Sequence, residues 1–524
     1  MNDKEYDVAI IGGGITGVGL ARDCALRGLR TVLVERGDLA TGATGRNHGL
    51  LHSGARYAVT DRESASECIR ENRILRKVAS NCVEETEGFF ITLPEDDLGY
   101  QAHFVKCCRE AGIDAKEMDP MEALRKEPAL NPSLIGAVMV PDASVDPFRL
   151  SSANALDATI HGAVILTYHE VTSFIRENGC IAGMNVRNTR SSETFQIRAR
   201  ITVNAAGIWG HDIAAMAGAR IEMYPAKGSL LIFGHRVNRM VINRCRKPAN
   251  ADILVPGDVV CVIGTTSTKV PFGECDNIRV TPDEVELLLE EGCKLAPSLS
   301  STRILRAYAG VRPLVASDDD PTGRSISRGI VLLDHESRDG IPGFISITGG
   351  KLTSYRLMAE QAADLICRKL GSSAKCLTAV LPLPGSGKDS GKEFGKEVGP
   401  ISIKAAHSRH GSQTEKMDFS LKSEVLCECE HVTRAEIAYA VKYLDVHNLI
   451  DLRRRTRIGM GTCQGTFCIA KVAAALAEEL HCTERIPELV REYVEERWKG
   501  MVPVCWGDSL REAEYMRKLY GNDF

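Results

Sequence analysis

Val8 to Ile11 is a short apolar run that ends on Gly12-x-Gly14-x-x-Gly17, and the glycines open directly onto a segment with apolar residues at helical spacing. Strand, glycines and helix in that order restrict the start of the chain to a βαβ crossover, with a helix N-terminus facing the end of a buried strand. The glycines let backbone approach a pyrophosphate, which then lies against the partial positive charge of that helix N-terminus. A second strand, "RTVLVE", closes on Glu35. Its carboxylate falls about twenty residues past the glycines, where it can accept ribose hydroxyls. It also repels a 2′-phosphate, which disfavours NADP. The motif alone suits NAD and FAD equally.

Three later segments favour the longer cofactor. "LATGATGRNHGLLHSGARY", with Thr44 and Gly45, offers hydroxyls and backbone donors just beyond Glu35. "TVNAAGIW", with Ala206 and Gly207, is a strand followed by a small-residue turn. "FISITGGKLTSYRLMAEQAADLICRKL" repeats strand, glycine turn and helix, and its turn holds Gly349, Gly350, Lys351, Leu352 and Thr353. A second glycine turn of this kind aims peptide N–H groups at a flavin ring. Each segment taken singly is also compatible with a plain βα turn.

Together, "GATGRNHGLLHSGARY", "YAGVRPL" and "GGKLTSYR" resemble the FAD-dependent glycerol-3-phosphate dehydrogenases, within the D-amino-acid-oxidase-like flavoproteins. With the cysteines near the end, the chain is most similar to the large subunits of the anaerobic branch. The resemblance covers essentially the whole chain. It implies an α/β (α+β) fold in which a Rossmann-like FAD domain is interleaved with an antiparallel substrate-capping sheet, followed by a small helical 2Fe-2S domain. "MYPAKGSLLIF", "DILVPGDVVCVIGTT" and "SRGIVLLDH" would supply the cap.

The same resemblance implies glycerol 3-phosphate as substrate, a dianion that calls for arginine forks. Arg56, Arg312 and Arg328 occupy the matching segments, with Tyr57 as a further substrate contact. Hydride leaves C2 for flavin N5 while a base takes the hydroxyl proton, and His52 is the candidate base. Lys351 is placed beside flavin and substrate, where it can polarise the hydroxyl. Arg312 completes the catalytic set. The acidic run Asp318–Asp320 precedes Pro-Thr-Gly and reads as a solvated turn rather than a metal site.

From Pro384 the chain becomes rich in glycine and alternating charge, which reads as a linker to about Lys422. The expected organisation is therefore 1–383 as the flavin module, 384–422 as linker, 423–480 as cluster domain and 481–524 as a helical tail. Cys427 and Cys429 stand one residue apart, and Cys463 and Cys468 four apart. Thr433 and Glu436 form a capping-box pattern, so a helix follows the first pair, and another follows the second. Thiolates ahead of helix N-termini are stabilised. Zinc, a redox disulfide and simple packing are readings for such a set, but a 2Fe-2S cluster is the one that a flavin upstream makes useful. The arrangement resembles the bacterioferritin-associated-ferredoxin-like domain, which often closes with Cys-x2-Cys where this chain has Cys-x4-Cys. The run Arg453, Arg454, Arg455 and Arg457 reads as a solvated helix face.

The 524 residues carry 44% apolar and 26% charged side chains and a formal charge of −4, the balance of a globular chain with no general affinity for nucleic acid. No apolar run suggests a membrane span, and the acidic start does not read as a signal peptide. Eighteen cysteines without a disulfide-like pattern fit a reducing cytoplasm. By resemblance, electrons leave through electron-transfer and membrane-anchor subunits for menaquinone, which makes the enzyme peripheral to the membrane. Two other readings remain open at this point: an FAD/2Fe-2S dehydrogenase of a 2-hydroxy acid or secondary amine, and a non-catalytic electron carrier or redox sensor.

Overall fold

The computed structural model describes residues 5–315, 329–386 and 400–521. Arg328, the acidic run at 318–320 and most of the glycine-rich stretch after Pro384 lie outside the described residues.

The first strand, β1 (Glu5–Ile11), runs into helix α1 (Ile15–Leu26) and returns as β2 (Thr31–Val34). With β3 (Val164–Leu166) and β4 (Thr194–Asn204) these form a parallel sheet in the order β3-β2-β1-β4. Val8 to Ile11 are buried because layers cover both faces of the sheet. The cap is a second, nine-stranded sheet whose backbone is the pair β5 (Met223–Phe233) and β6 (Ile304–Val315), antiparallel from Met223↔Val315 to Phe233↔Ile304. It also takes Gly88–Thr92 and Gly136–Val140, so the two sheets draw alternately on the same stretch of chain. The last parallel strand, β7 (Phe344–Gly349), adds beside β4. The segment "SRGIVLLDH", expected in the cap, instead pairs antiparallel with β7, Ile330 opposite Gly349. It extends the flavin sheet beyond β7, a position that periodicity alone does not distinguish from one in the cap.

Helix α2 (Arg62–Val78) follows the loop after Glu35, and α3 (Pro147–Ile160) and α4 (Tyr355–Leu370) flank α1. Gly19 permits the approach of α4: a Cβ there would lie 2.8 Å from the Tyr355 ring.

The C-terminal unit is helical. Helices α5 (Ile401–His410), α6 (Arg434–Tyr443), α7 (Leu449–Thr456), α8 (Ile469–Glu479) and α9 (Ile486–Met501) share a core that includes Ala406, Ile437, Leu452, Val472 and Leu489. Part of the expected linker is therefore folded. Ala406 is fully buried, and Arg409 and His410 both bond the buried carboxylate of Glu436. Thr433 does cap α6 by accepting from Glu436 N, while the Glu436 side chain serves Arg409.

The arginine run is not a solvated face. Arg454 and Arg455 both pair with Asp38, which lies three residues beyond Glu35. Arg457 reaches Asp146, Asp258 and Glu430, one carboxylate from each of the flavin, cap and cluster units. This run fastens the three units together.

Candidate active site and cysteine cluster

A cavity of about 500 Å³ lies between the parallel sheet and the cap. One end is lined by Gly12, Gly14, Glu35, Thr44, Ala206 and Gly207. Gly12 has φ +113, and a Cβ on it would sit 2.6 Å from the Ala205 carbonyl, so the turn requires glycine. Gly17 does not line the cavity. Its Cα abuts the Gly12 carbonyl and seats α1 on the turn. Gly45 faces a neighbouring chamber, and a Cβ there would strike the Ala40 carbonyl. Thr44 Oγ1 accepts from Ile15 N, the first donor of α1. Glu35 accepts from Gly13 N at 2.7 Å and Gly37 N at 2.8 Å. Burial raises its pKa, and those two N–H groups oppose the rise. Each oxygen keeps a lone pair for a further donor such as a ribose hydroxyl. These residues fit the adenosine and pyrophosphate of FAD.

His52, Arg56, Tyr57, Arg312 and the turn Gly349–Leu352 line the other end. Arg312, on β6, donates to Lys227 O, Ser267 Oγ, Thr265 Oγ1 and Thr266 O. These four bonds fix the direction of the fork. Gly228 makes room for it, since a Cβ there would lie 2.5 Å from Arg312 Nη2. Arg56 commits Nη2 to Asp252 at 3.0 Å, while its buried Nη1 has no partner. Lys351 Nζ lies 4.7 Å from the centre of the Tyr57 ring, and the His52 ring is 5.4 Å from Tyr57. One end of the cavity thus gathers a histidine, a lysine, a tyrosine and two arginines from segments far apart in sequence.

The His52 backbone is fixed by groups that sequence reading missed or assigned elsewhere. Its N–H donates to Thr353 Oγ1 at 3.1 Å, and its carbonyl accepts from Asn72 Nδ2 at 3.2 Å. Asp142 accepts from Ser53 N. Thr353, expected to touch cofactor, ties the Gly349–Leu352 turn to the His52 loop. A polar residue within the buried stripe of α2 is the only sequence signal for Asn72; Asp142 gave none, and Thr353 was marked only by its place in the glycine turn.

The four cysteines converge. Cys468 is within hydrogen-bonding reach of Cys427 and Cys463, and Cys463 of Cys429. Hydrogen bonds from Cys468, then peptide N–H groups, draw the Cys427 and Cys463 thiols down against burial. The N–H groups of Gly459 and Glu430 face Cys427, and those of Gly465 and Phe467 face Cys463. Tyr493 Oη is 3.2 Å from Gly459 O and 3.1 Å from Gln464 O, holding both flanks of the Cys463 loop. Gly459 and Gly465 leave space for that hydroxyl: a Cβ on either would approach it to 2.1 or 2.5 Å. Among the described residues no three His, Cys, Asp or Glu surround one point as a single metal ion demands. Four thiols ringed by N–H donors fit a cluster that spreads its ligands over two irons better than they fit zinc.

Residues 7–356 match the FAD dependent oxidoreductase family. The chain belongs to that family. Residues 425–478 match the BFD-like 2Fe-2S binding domain, so this FAD-dependent oxidoreductase carries an iron–sulfur domain on its C-terminal side. It is 59% identical to a subunit of the anaerobic glycerol-3-phosphate dehydrogenase of Escherichia coli K12, over 99% of this chain and 97% of the relative. Identity to the counterpart of the same name from Haemophilus influenzae is 57%, over 100% of this chain and 94% of the relative. Among solved structures, the glycerol-3-phosphate dehydrogenase of Bacillus halodurans complexed with FAD shares the fold at TM-score 0.73, with 24% identity and 97% of each chain covered. No helix among the described residues is long and apolar enough to cross a membrane.

Proposed function

We propose that this flavoprotein oxidises sn-glycerol 3-phosphate at C2 to dihydroxyacetone phosphate and sends the electrons out through its 2Fe-2S domain. The observation that carries the reading is the pair of guanidinium groups, Arg56 and Arg312, at the same end of the cavity as His52 and Lys351. The 59% identity to the Escherichia coli protein supports the same substrate. FAD, when bound, supplies the hydride acceptor, and the cluster supplies a one-electron exit.

Arg312 and the uncommitted arm of Arg56 bind the phosphate, and Arg328 is a third candidate for that work. Phosphate held there orients C2 toward His52, which takes the hydroxyl proton as C2 gives up its hydride. Lys351 polarises the hydroxyl oxygen, and Tyr57 packs between the lysine and the histidine. Gly12, Gly14, Glu35, Thr44, Ala206, Gly207, Gly349, Gly350 and Leu352 hold the cofactor, with Gly17, Gly45 and Thr353 supporting them. Cys427, Cys429, Cys463 and Cys468 hold the cluster. Electron-transfer and membrane-anchor subunits then carry electrons to a quinone, which places the enzyme on the cytoplasmic side of a membrane.

An anaerobic titration of the purified protein with glycerol 3-phosphate tests this. Loss of flavin absorbance with partial loss of iron–sulfur absorbance is the expected result. A sample that dithionite reduces but glycerol 3-phosphate does not would overturn the substrate and direct attention to 2-hydroxy acids and secondary amines.

A further inference from the structure

A second chamber, of about 830 Å³, opens where the flavin unit, the cap and the C-terminal helices meet. Thr41, Arg46, Asn47 and His48 line both it and the flavin cavity, and Cys429 lines its far side. Neither Arg56 nor Arg312 reaches it. Most of the arginines around it are spoken for: Arg149 and Arg457 by Asp146 and Asp258, Arg236 by Glu84, Arg454 by Asp38.

Three are different. Arg46, Arg306 and Arg453 have no carboxylate at ion-pair distance among the described residues, although Arg306 is only 6% exposed. Arg453 Nε is buried with no hydrogen-bond partner. Arg306 acts on both Arg46 and Arg453, and Glu496 is a carboxylate on which all three act. Burial and the neighbouring Arg306 push the Arg453 pKa down to about 9. Isolated buried cations are expensive, and a fold keeps them grouped around a cavity when a negative ligand offsets them.

We propose that this chamber is a second anion site, built for a phosphate-type dianion and separate from the substrate end of the flavin cavity. Three forks against one carboxylate match a doubly charged ligand, and guanidinium geometry suits tetrahedral oxyanions. Because Arg46, Asn47 and His48 belong to the loop that walls both chambers, an anion here firms the wall between the flavin cavity and the cysteine loop. Tyr308 already holds that wall by donating to Asn47 O at 2.7 Å.

The test uses holoenzyme carrying FAD and cluster, in an Arg312→Met background that removes phosphate binding at the substrate end. Inorganic phosphate is titrated at fixed ionic strength against chloride, with melting temperature and calorimetric binding as readouts. The expected result is a saturable phosphate-specific rise in melting temperature. Adding Arg453→Met, or independently Arg306→Met, weakens that binding by about tenfold or more. Each substitution also raises the melting temperature without phosphate, because it relieves repulsion. Three results would overturn the proposal: no response beyond chloride, a response unchanged in both variants, or a response confined to protein stripped of FAD. In the last case the cofactor's own phosphates are the missing anion.

Discussion

Arg455 Nη2 lies 2.5 Å from Asp38 Oδ1, and both side chains are 1% exposed, although 417 positions separate them in sequence. Arg454 occupies the second oxygen of the same carboxylate. Removing one member of a buried ion network leaves the others charged and unpaired, so Asp38→Asn should destabilise the fold by about 3–5 kcal/mol. Urea denaturation measures the loss. Proteolysis should cut first between the flavin unit and the C-terminal helices. Unchanged stability would mean the clamp carries no net energy.

The bond from His52 N to Thr353 Oγ1 gives a kinetic prediction. Thr353→Val keeps the shape and removes the acceptor, so the histidine loop should drift while binding groups stay. We expect kcat to fall about tenfold to a hundredfold with KM little changed. Thr353→Ser should restore it. A variant that raises KM alone would place Thr353 in substrate binding instead.

Arg312→Met removes the fork that neutral oxygens hold in place. Loss of a charge-assisted contact is worth about 1.5–3 kcal/mol, so KM for glycerol 3-phosphate should rise roughly tenfold to a hundredfold. Steady-state kinetics under anaerobic conditions with an artificial acceptor reads this directly. Equal kinetics in the variant would remove Arg312 from the phosphate pocket.

Tyr493 belongs to α9, beyond the matched iron–sulfur segment, yet its hydroxyl holds the carbonyls of Gly459 and Gln464. The N–H of the Gln464–Gly465 peptide faces Cys463. Tyr493→Phe should therefore cost about 1–3 kcal/mol and loosen the Cys463 loop. Iron content after gel filtration should drop, and the electron paramagnetic resonance signal of the reduced cluster should broaden. Full iron content and an identical spectrum would show the loop stands without that hydroxyl.

Glu436 sets an acid limit. Burial alone would raise its pKa, but Arg409 and then His410 reverse this and hold it at about 2. Its folded pKa lies below the unfolded value of about 4.3, so its contribution is present above that value and is lost as pH falls from about 4.3 toward 2. The contribution is roughly 3 kcal/mol for so buried a network. Denaturation midpoints between pH 5 and pH 3 should fall steeply, and less steeply in Glu436→Gln, which starts weaker.

The turn at Gly12, the acid at Glu35 and the four cysteines were legible because local backbone geometry or ligand chemistry restricts which residues stand there. His52, Tyr57, Lys351 and Arg312 were legible through resemblance, and all four line one end of one cavity. The arginine run misled for a physical reason. A charge pattern looks the same whether it faces water or a carboxylate hundreds of residues away, and Asp38 carries no local mark. Residues 401–410 hid similarly: of the apolar residues in their helix only Ala406 is buried, and the helix is held by Arg409 and His410 on Glu436. Strand Ile330–Asp334 could not be assigned to a sheet because a short apolar run suits either one.

The Asp38 clamp also sets a schedule. A ribosome adds about 5–20 residues per second, so the aspartate emerges on the order of half a minute or more before the arginines that neutralise it. For most of that interval β7 has yet to complete the parallel sheet, and throughout it Asp38 has neither of the two arginines that pair with it in the finished fold. A chain that stops short of residue 454 therefore keeps that acid, three residues beyond Glu35, without its two arginine partners, a physical mark that separates unfinished from finished molecules.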